Sequence, residues 1–492
     1  MSWCIDICSI DEHNRHMRNT SVSCRAIYLL AREVNVLQMS ASVFFQGGTL
    51  VLHQSDDIEA VPVPFQFVKN RWRCEAYHYQ NVLPWMREQD VRNAVPRWPR
   101  LTLELHDTRE PHAYQLEALD AWKEAGRRGS IVLPTGAGKT LVATHAIRAV
   151  NSSVVVLVPT TSLLYQWYAL LTNVFQTEIG VYYGGEKRVL PLTVTTYHSA
   201  GDLMAEHGNT FKLFICDEVH HLPAKTWGEA ALMAPAPYRL GLTATYPEDH
   251  EQTGGRWQLN DLIGPIVYTQ SLETLVGTQL AEYRTQRVRV ELTREERTSY
   301  EALHETYLGF VRERGLQRTH GAGWLRELMR LSTSDPAARR AWLARRHLLN
   351  LLEQCQGKLA ALETLLREHA GERILVFTES NAVAYTIARQ HLIPVISHET
   401  GMAERKHILD AFQTGDYSVI VTSKVLNEGI DVPEAKVAIV LGGGAGKREY
   451  IQRLGRILRK KEPLQAVLIE VLVRNTLEEG KVQRRSVPRE KR

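Results

Sequence analysis

Cysteine is scarce in this chain: six residues in 492, with no C-x-x-C pair among them. That pattern excludes a disulfide framework and leaves zinc and iron–sulfur centres without their usual ligands. Cys4, Cys8 and Cys24 fall in the first 38 residues, and Cys74, Cys216 and Cys355 stand alone. Reduced, mostly buried thiols are expected, in keeping with a cytoplasmic protein. Long apolar runs are missing too. Nothing approaches the roughly 20 residues that span a bilayer, so no membrane role is expected. Ala26 to Ala31 is too short for the apolar part of a signal peptide and is closed by Arg32-Glu33. An excess of one charge sign is also absent. The 59 Lys+Arg stand against 55 Asp+Glu, a net of +4, which excludes a strongly basic DNA-coating protein. What is present is apolar material, 44% of the residues, enough for the cores of about three or four domains.

The chain divides by pattern. Residues 1–42 are polar and weakly periodic and read as an N-terminal extension, with Met39 a candidate natural start and residues 1–38 a candidate non-native addition. Residues 43–107 predict a small mixed α/β domain, with strands over 65–68 and 71–79 around Lys69-Asn70 and a helix over 83–94. Its seven aromatics between Phe65 and Trp98 are expected to fill a core rather than stack on bases. Residues 108–285 alternate short apolar runs with helical stretches, as buried parallel strands with crossover helices do. Residues 286–350 predict a helical connecting segment. Its apolar stripe continues through Leu348, Leu351, Leu352, Cys355, Leu359, Leu362 and Leu366. A second α/β lobe is expected over 351–480, then a basic tail, 481–492. The fold class is therefore α/β with two parallel sheets and a small additional domain.

Leu133-Pro134-Thr135-Gly136-Ala137-Gly138-Lys139-Thr140 lies between an apolar strand and a helical stretch. That is the context of a phosphate loop, whose glycines let backbone N–H groups close round phosphates at a helix N-terminus. Lys139 is placed for the β- and γ-phosphates of ATP, and Thr140 for Mg²⁺. Leu133 stands where the first glycine is usual. The second half of the site is expected at Asp217-Glu218-Val219-His220, which ends another apolar strand. Asp217 is the candidate Mg²⁺ ligand and Glu218 the candidate base for the attacking water. Near the C-terminus, Gln452, Arg456 and Arg459 are spaced i, i+4 and i+7, on one face of a helix. Arginines there suit phosphate oxygens and a transition-state finger from the second lobe.

These motifs, in this order, resemble those of superfamily 2 helicases, which implies two RecA-like lobes and motion on nucleic acid driven by ATP. Tyr114-Gln115 is similar to the Q motif, in which the glutamine reads adenine. The run from Pro159 to Trp167 resembles motif Ia, Thr195-Thr196-Tyr197 motif Ic, and Thr243-Ala244-Thr245 the coupling motif III. Val376 to Glu379 resembles motif IV. Thr422-Ser423 with Asn427 to Asp431 resembles motif V, placing Gly429 and Asp431 at the nucleotide, and Gln452 to Arg459 resembles motif VI. The resemblance implies nucleic-acid contacts at Thr160, Thr161, Thr196 and Thr422.

Asp217 to His220, the segment from Gly442 to Arg459 and the position of the small domain are similar to XPB-like helicases in their short archaeal and bacterial form. This implies a damage-recognition-like small domain, a thumb-like element within the helical segment, 3′→5′ polarity and DNA repair. Single-stranded, duplex or forked DNA is then the expected partner, with any cutting left to a partner nuclease, and a nucleoid-associated location follows. Two residues depart from the family. Pro247 stands where an arginine precedes Glu248-Asp249, which weakens the element thought to open DNA. His112 replaces a common arginine in the Q motif, making its contact pH-dependent. A duplex-translocating motor of a restriction or phage-defence system shares the motifs and is the alternative. The small net charge also hides a polarity: residues 447–492 carry 14 Lys+Arg against 6 Asp+Glu, and residues 293–350 carry 11 against 7.

Overall fold

The computed structural model describes residues 41–53, 61–62, 64–224, 226–247, 258–271, 274, 283–320, 323–423, 435–441 and 466–479. The expectations placed on residues 1–40, Glu248, Asp249, Gly429, Asp431, Gln452, Arg456, Arg459 and 481–492 lie outside these.

The small domain is a five-stranded sheet of β1 (Ser42–Gln46), β2 (Thr49–His53), β3 (Gln66–Val68), β4 (Arg71–Glu75) and β5 (Arg92–Ala94), in the order β3-β4-β2-β1-β5. Lys69 and Asn70 both take positive φ, 49° and 59°, the geometry of a two-residue hairpin that follows the strand twist. The helix expected over 83–94 instead spans Tyr79–Glu88, and Arg92–Ala94 is a strand parallel to β1. Pro84 sits inside that helix, and the chain turns out of it at Asp90, whose φ is 50°. Phe65, Tyr79 and part of Trp72, Trp85 and Trp98 fill the core, while Phe67 is 60% exposed. The domain is shorter than expected. Leu101, Leu103 and Leu105 pack on the core of the next lobe, and Leu101 N–H donates to the Asn151 carbonyl. Their alternation with polar residues is that of an extended chain lying on a surface.

The first lobe is an eight-stranded sheet: β6 (Arg128–Val132), β7 (Val154–Val158), β8 (Gly180–Tyr183), β9 (Glu186–Arg188), β10 (Leu192–Thr196), β11 (Leu213–Asp217), β12 (Tyr238–Thr243) and β13 (Ile266–Thr269). The order is β13-β6-β12-β11-β7-β10-β8-β9, parallel except for β9. Strands such as Val-Val-Val-Leu-Val in β7 are buried along their whole length, because helices cover both faces. The order sets the C-terminal ends of β6, β12 and β11 side by side.

The second sheet has β14 (Tyr283–Val290), β15 (Ile374–Phe377), β16 (Val395–Ile396), β17 (Val419–Thr422), β18 (Val437–Val440) and β19 (Ala466–Val473), ordered β14-β19-β18-β15-β17-β16 and parallel throughout. Here a boundary is corrected. Residues 283–290, divided in the sequence reading between the first lobe and the helical segment, belong to the second sheet. The strand lies at an edge and carries Arg284, Arg287 and Arg289, so it lacks the apolar run that marks central strands.

Between β14 and β15 the helices Arg294–Glu313, Leu316–His320, Trp324–Leu331 and Pro336–Gln354 form their own core around Tyr307, Phe310, Leu328 and Ala341. A reciprocal box starts the first helix: Thr293 Oγ1 accepts from Glu296 N–H, and the Glu296 carboxylate accepts from Thr293 N–H. Asp335 caps the last, ahead of Pro336. The apolar stripe from Leu348 to Leu366 breaks at Cys355, and a separate helix, Gln356–Glu368, follows.

Candidate active site

The phosphate loop leaves β6 and enters the helix Lys139–Val150. Gly136 and Gly138 take φ of 84° and 75°, a region costly for other residues. A Cβ on Gly138 would lie 2.3 Å from Gln115 Nε2, so any other residue here would also push the Gln115 amide aside. Leu133, in place of the first glycine, is fully buried, and its N–H donates to the Thr243 carbonyl at 3.0 Å. Lys139 Nζ folds back to the Leu133 carbonyl at 3.4 Å. Pro134 and Ala137 are buried, and Thr140, at the second position of the helix, is half-buried. Thr135 Oγ1 is buried without a hydrogen-bond partner, an orphan that a ligand oxygen in the loop would satisfy.

Gln115 lies against this loop. Its Oε1 accepts from His112 N–H at 2.8 Å and its Nε2 donates to the Ala137 carbonyl at 2.8 Å. The Tyr114 hydroxyl donates to the same carbonyl at 2.9 Å. The structure thus shows Gln115 as a strut between the helix Ala113–Glu124 and the phosphate loop. Reading adenine requires its amide to leave Ala137. His112 is the helix N-cap and stacks on Tyr114, with ring centroids 5.7 Å apart.

Asp217 ends β11 and is 4% exposed. Its Oδ2 accepts from Trp167 Nε1 at 2.8 Å, its Oδ1 from Glu218 N–H at 3.0 Å, and its backbone carbonyl from the Tyr197 hydroxyl at 2.8 Å. Burial pushes its carboxyl above the usual range, against the opposing pull of Lys139, Trp167 and the Glu218 amide. A buried carboxylate beside a glycine cradle fits a cation accompanying phosphates, with Thr140 and Asp217 as the candidates to hold one. Glu218 is buried at φ 49°, a left-handed conformation rare outside glycine and often found where strain serves function. His220 Nδ1 stands 3.5 Å from Glu218 Oε2 and 3.0 Å from Thr243 Oγ1. Thr243 Oγ1 also donates to the Thr245 carbonyl at 2.9 Å and accepts from Thr245 N–H at 3.1 Å. The Asp217 strand end, motif III and the phosphate loop are therefore joined by direct hydrogen bonds across three adjacent strands.

Thr160 and Thr196 are N-caps: their hydroxyls accept from Leu163 N–H and Ser199 N–H, each at 3.3 Å. Thr161 is the half-buried first residue of the helix Thr161–Phe175. Thr422 is fully buried and donates to the Ser423 carbonyl at 2.8 Å. Trp167 and Tyr197 were missed as site residues. Trp167 closes the motif Ia run and Tyr197 the motif Ic triplet, but local sequence carries no sign that either reaches Asp217, 50 and 20 positions away.

Residues 108–248 match the family model described as the type III restriction enzyme res subunit, and residues 357–461 match the helicase conserved C-terminal domain. The chain is 40% identical to the DNA 3'-5' translocase XPB2 of Sulfurisphaera tokodaii, over 82% of this chain and 90% of that protein. It is 32% identical to the DNA 3'-5' helicase XPB of Kineococcus radiotolerans over 71% of this chain, and 31% identical to that of Mycobacterium tuberculosis over 74%. It spans only 57% and 61% of those two longer relatives. Among solved structures, the Hef helicase domain of Pyrococcus furiosus superposes with a TM-score of 0.50 at 20% identity, over 78% of this chain and 99% of that one. Saccharomyces cerevisiae Dbp5 bound to RNA and ADP BeF3 gives 0.51 at 15%, over 76% and 87%. Both likenesses confirm the two-lobed RecA-like fold. With the site's geometry and the match along nearly the whole of the archaeal relative, the chain belongs to the XPB family of superfamily 2 DNA helicases.

Proposed function

We propose that the protein is an ATP-driven DNA motor of 3′→5′ polarity, acting as translocase or helicase in DNA repair. The observation that carries this reading is the hydrogen-bonded line from Leu133 through Thr243 to His220, whose ring lies 3.5 Å from Glu218; it ties the phosphate loop to motif III and to the strand end that bears Glu218. Such a line lets a change at the phosphate loop be felt at motif III and at the strand end that bears Glu218. Bound MgATP supplies the scissile phosphoanhydride and a cation that neutralises charge on its phosphates. Lys139 and the loop amides grip the phosphates, and Thr140 and Asp217 hold the ion. Glu218 accepts a proton from water, with His220 steadying its carboxylate. Gln452, Arg456 and Arg459 complete the site from the second lobe, and Gly429 and Asp431 contact the nucleotide. At the DNA, Thr160, Thr161 and Thr196 begin two long helices, whose first-turn N–H groups suit phosphate oxygens. Thr422, whose hydroxyl donates to the Ser423 carbonyl, is the candidate contact on the second lobe.

The restriction-motor alternative is supported only by the match over residues 108–248, whereas the XPB relative is matched along 82% of the chain. The test is ATP hydrolysis measured without DNA and with single strands, duplex and forks, followed by unwinding on the strongest activator. DNA-stimulated hydrolysis lost in Lys139→Ala supports the reading. Hydrolysis indifferent to DNA contradicts it, and duplex stimulation without unwinding or 3′→5′ movement favours the alternative.

A further inference from the structure

Two helices of the first lobe begin at proposed DNA contacts, and both end their polar reach on one residue. Trp167 lies on the helix Thr161–Phe175, six residues past Thr161, and is 1% exposed. At about 1.5 Å per residue, roughly 9 Å of rigid helix separates the two. Tyr197 opens the helix Tyr197–His207 directly after its cap Thr196, and is also 1% exposed. An indole has one N–H to donate and a phenol one O–H. Trp167 Nε1–H donates to the Asp217 carboxylate and the Tyr197 hydroxyl donates to the Asp217 carbonyl, both at 2.8 Å. The other oxygen of the same carboxylate, Oδ1, accepts from the Glu218 N–H and so fixes the peptide from which the candidate base projects. Buried Trp and Tyr need a partner, but any backbone carbonyl satisfies that need. Here both donors converge on the single residue placed for the ion, one on its side chain and one on its main chain.

We propose that Trp167 and Tyr197 are positioning residues that transmit a shift of the two helix N-termini to Asp217, so that DNA occupancy and nucleotide occupancy are coupled through this residue. The proposal rests on the reading of Thr160, Thr161 and Thr196 as the DNA-facing ends. Coupling of this kind is reciprocal, so it can be read as the effect of nucleotide on DNA affinity without any turnover.

The test uses the full chain and the variants Trp167→Phe and Tyr197→Phe, which keep the ring and delete the donor. Leu164→Val, a packing change on the Trp167 helix, serves as the control. Affinity for a fluorescein-labelled fork is measured by anisotropy without nucleotide and with Mg-AMPPNP, and the ratio of the two is the coupling. The wild-type ratio is expected at about fivefold or more, and at about unity, within twofold, in both Phe variants, with the nucleotide-free affinity held and Leu164→Val behaving as wild type. Circular dichroism melting establishes that each variant is folded, and Tyr197→Phe, the smaller change, carries the test alone if Trp167→Phe is not. Wild-type ratios in the folded Phe variants overturn the positioning role and leave the motor reading intact. A wild type that binds the fork with no nucleotide effect, or does not bind it, overturns both.

Discussion

Glycine at 138 is held by its left-handed backbone, and a substitution there would also displace the Gln115 amide. Gly138→Ala places a methyl group against Gln115 Nε2 in a left-handed backbone that costs about 1–2 kcal/mol for any L side chain. The expected result is at least a tenfold weaker apparent affinity for ATP, about 1.4 kcal/mol, read as KM in a hydrolysis assay. His220 makes a different contribution. Its bond to Thr243 links the strand end that carries the candidate base, Glu218, to motif III. In His220→Ala that link is lost, and DNA displaced per ATP hydrolysed is expected to fall about tenfold, the equivalent of one buried hydrogen bond. The three thiols among the described residues are inert by contrast. Burial, helped by Glu75, pushes the Cys74 thiol up to about 12, and burial likewise raises Cys216 and Cys355. At pH 8 roughly one Cys74 in ten thousand is thiolate. Peptide mapping after iodoacetamide treatment is expected to find these three unlabelled in the native protein and labelled after denaturation. Such residue-level features were legible where the chemistry is contiguous, as in the phosphate loop and Asp217-Glu218-Val219-His220. They were illegible where the fold brings distant residues together, as with Trp167 and Asp217.

Elements follow the same division. Central strands such as Val154–Val158 and Ile374–Phe377 are apolar throughout because both faces are covered, and they stand out in the sequence. The edge strand Tyr283–Val290 does not, since alternate residues face water and three of its eight are arginine. The break at Cys355 was hidden for another reason: the apolar stripe continues across it, and only the backbone changes direction. Just beyond, Lys358 is fully buried at the start of the helix Gln356–Glu368 and ties two elements together. Its Nζ donates to the Leu441 carbonyl at 2.5 Å, just past β18, and to Glu478 at 2.7 Å, beyond β19. Lys358→Met leaves the buried Glu478 carboxylate without this cation, and a loss of about 3–5 kcal/mol is expected in chemical denaturation of the second lobe. Adding Glu478→Gln is expected to recover part of it.

At the scale of the whole molecule, the small domain is fastened to the first lobe rather than tethered to it. Gly48 N–H donates to the Ala205 carbonyl at 3.1 Å, and Asn209 Nδ2 donates to the Val95 carbonyl at 2.9 Å. The Arg239 guanidinium, fully buried and bonded to the carbonyls of Leu262 and Ala234, faces the Tyr77 ring at 5.5 Å. Arg239 belongs to β12, the strand that ends at Thr243, so the docking surface and motif III share one element. The chain's motifs announced the two lobes and their order, but not this attachment, which depends on single backbone and side-chain contacts between residues far apart in the chain. The central claim is that ATP hydrolysis on this frame produces directed movement on DNA. It is tested most directly by ATP-dependent displacement of streptavidin from single strands biotinylated at one end or the other. The account predicts release from the 5′ end, none from the 3′ end, and none from either in Lys139→Ala. Release from the 3′ end, or hydrolysis of ATP with no release from either, would contradict it.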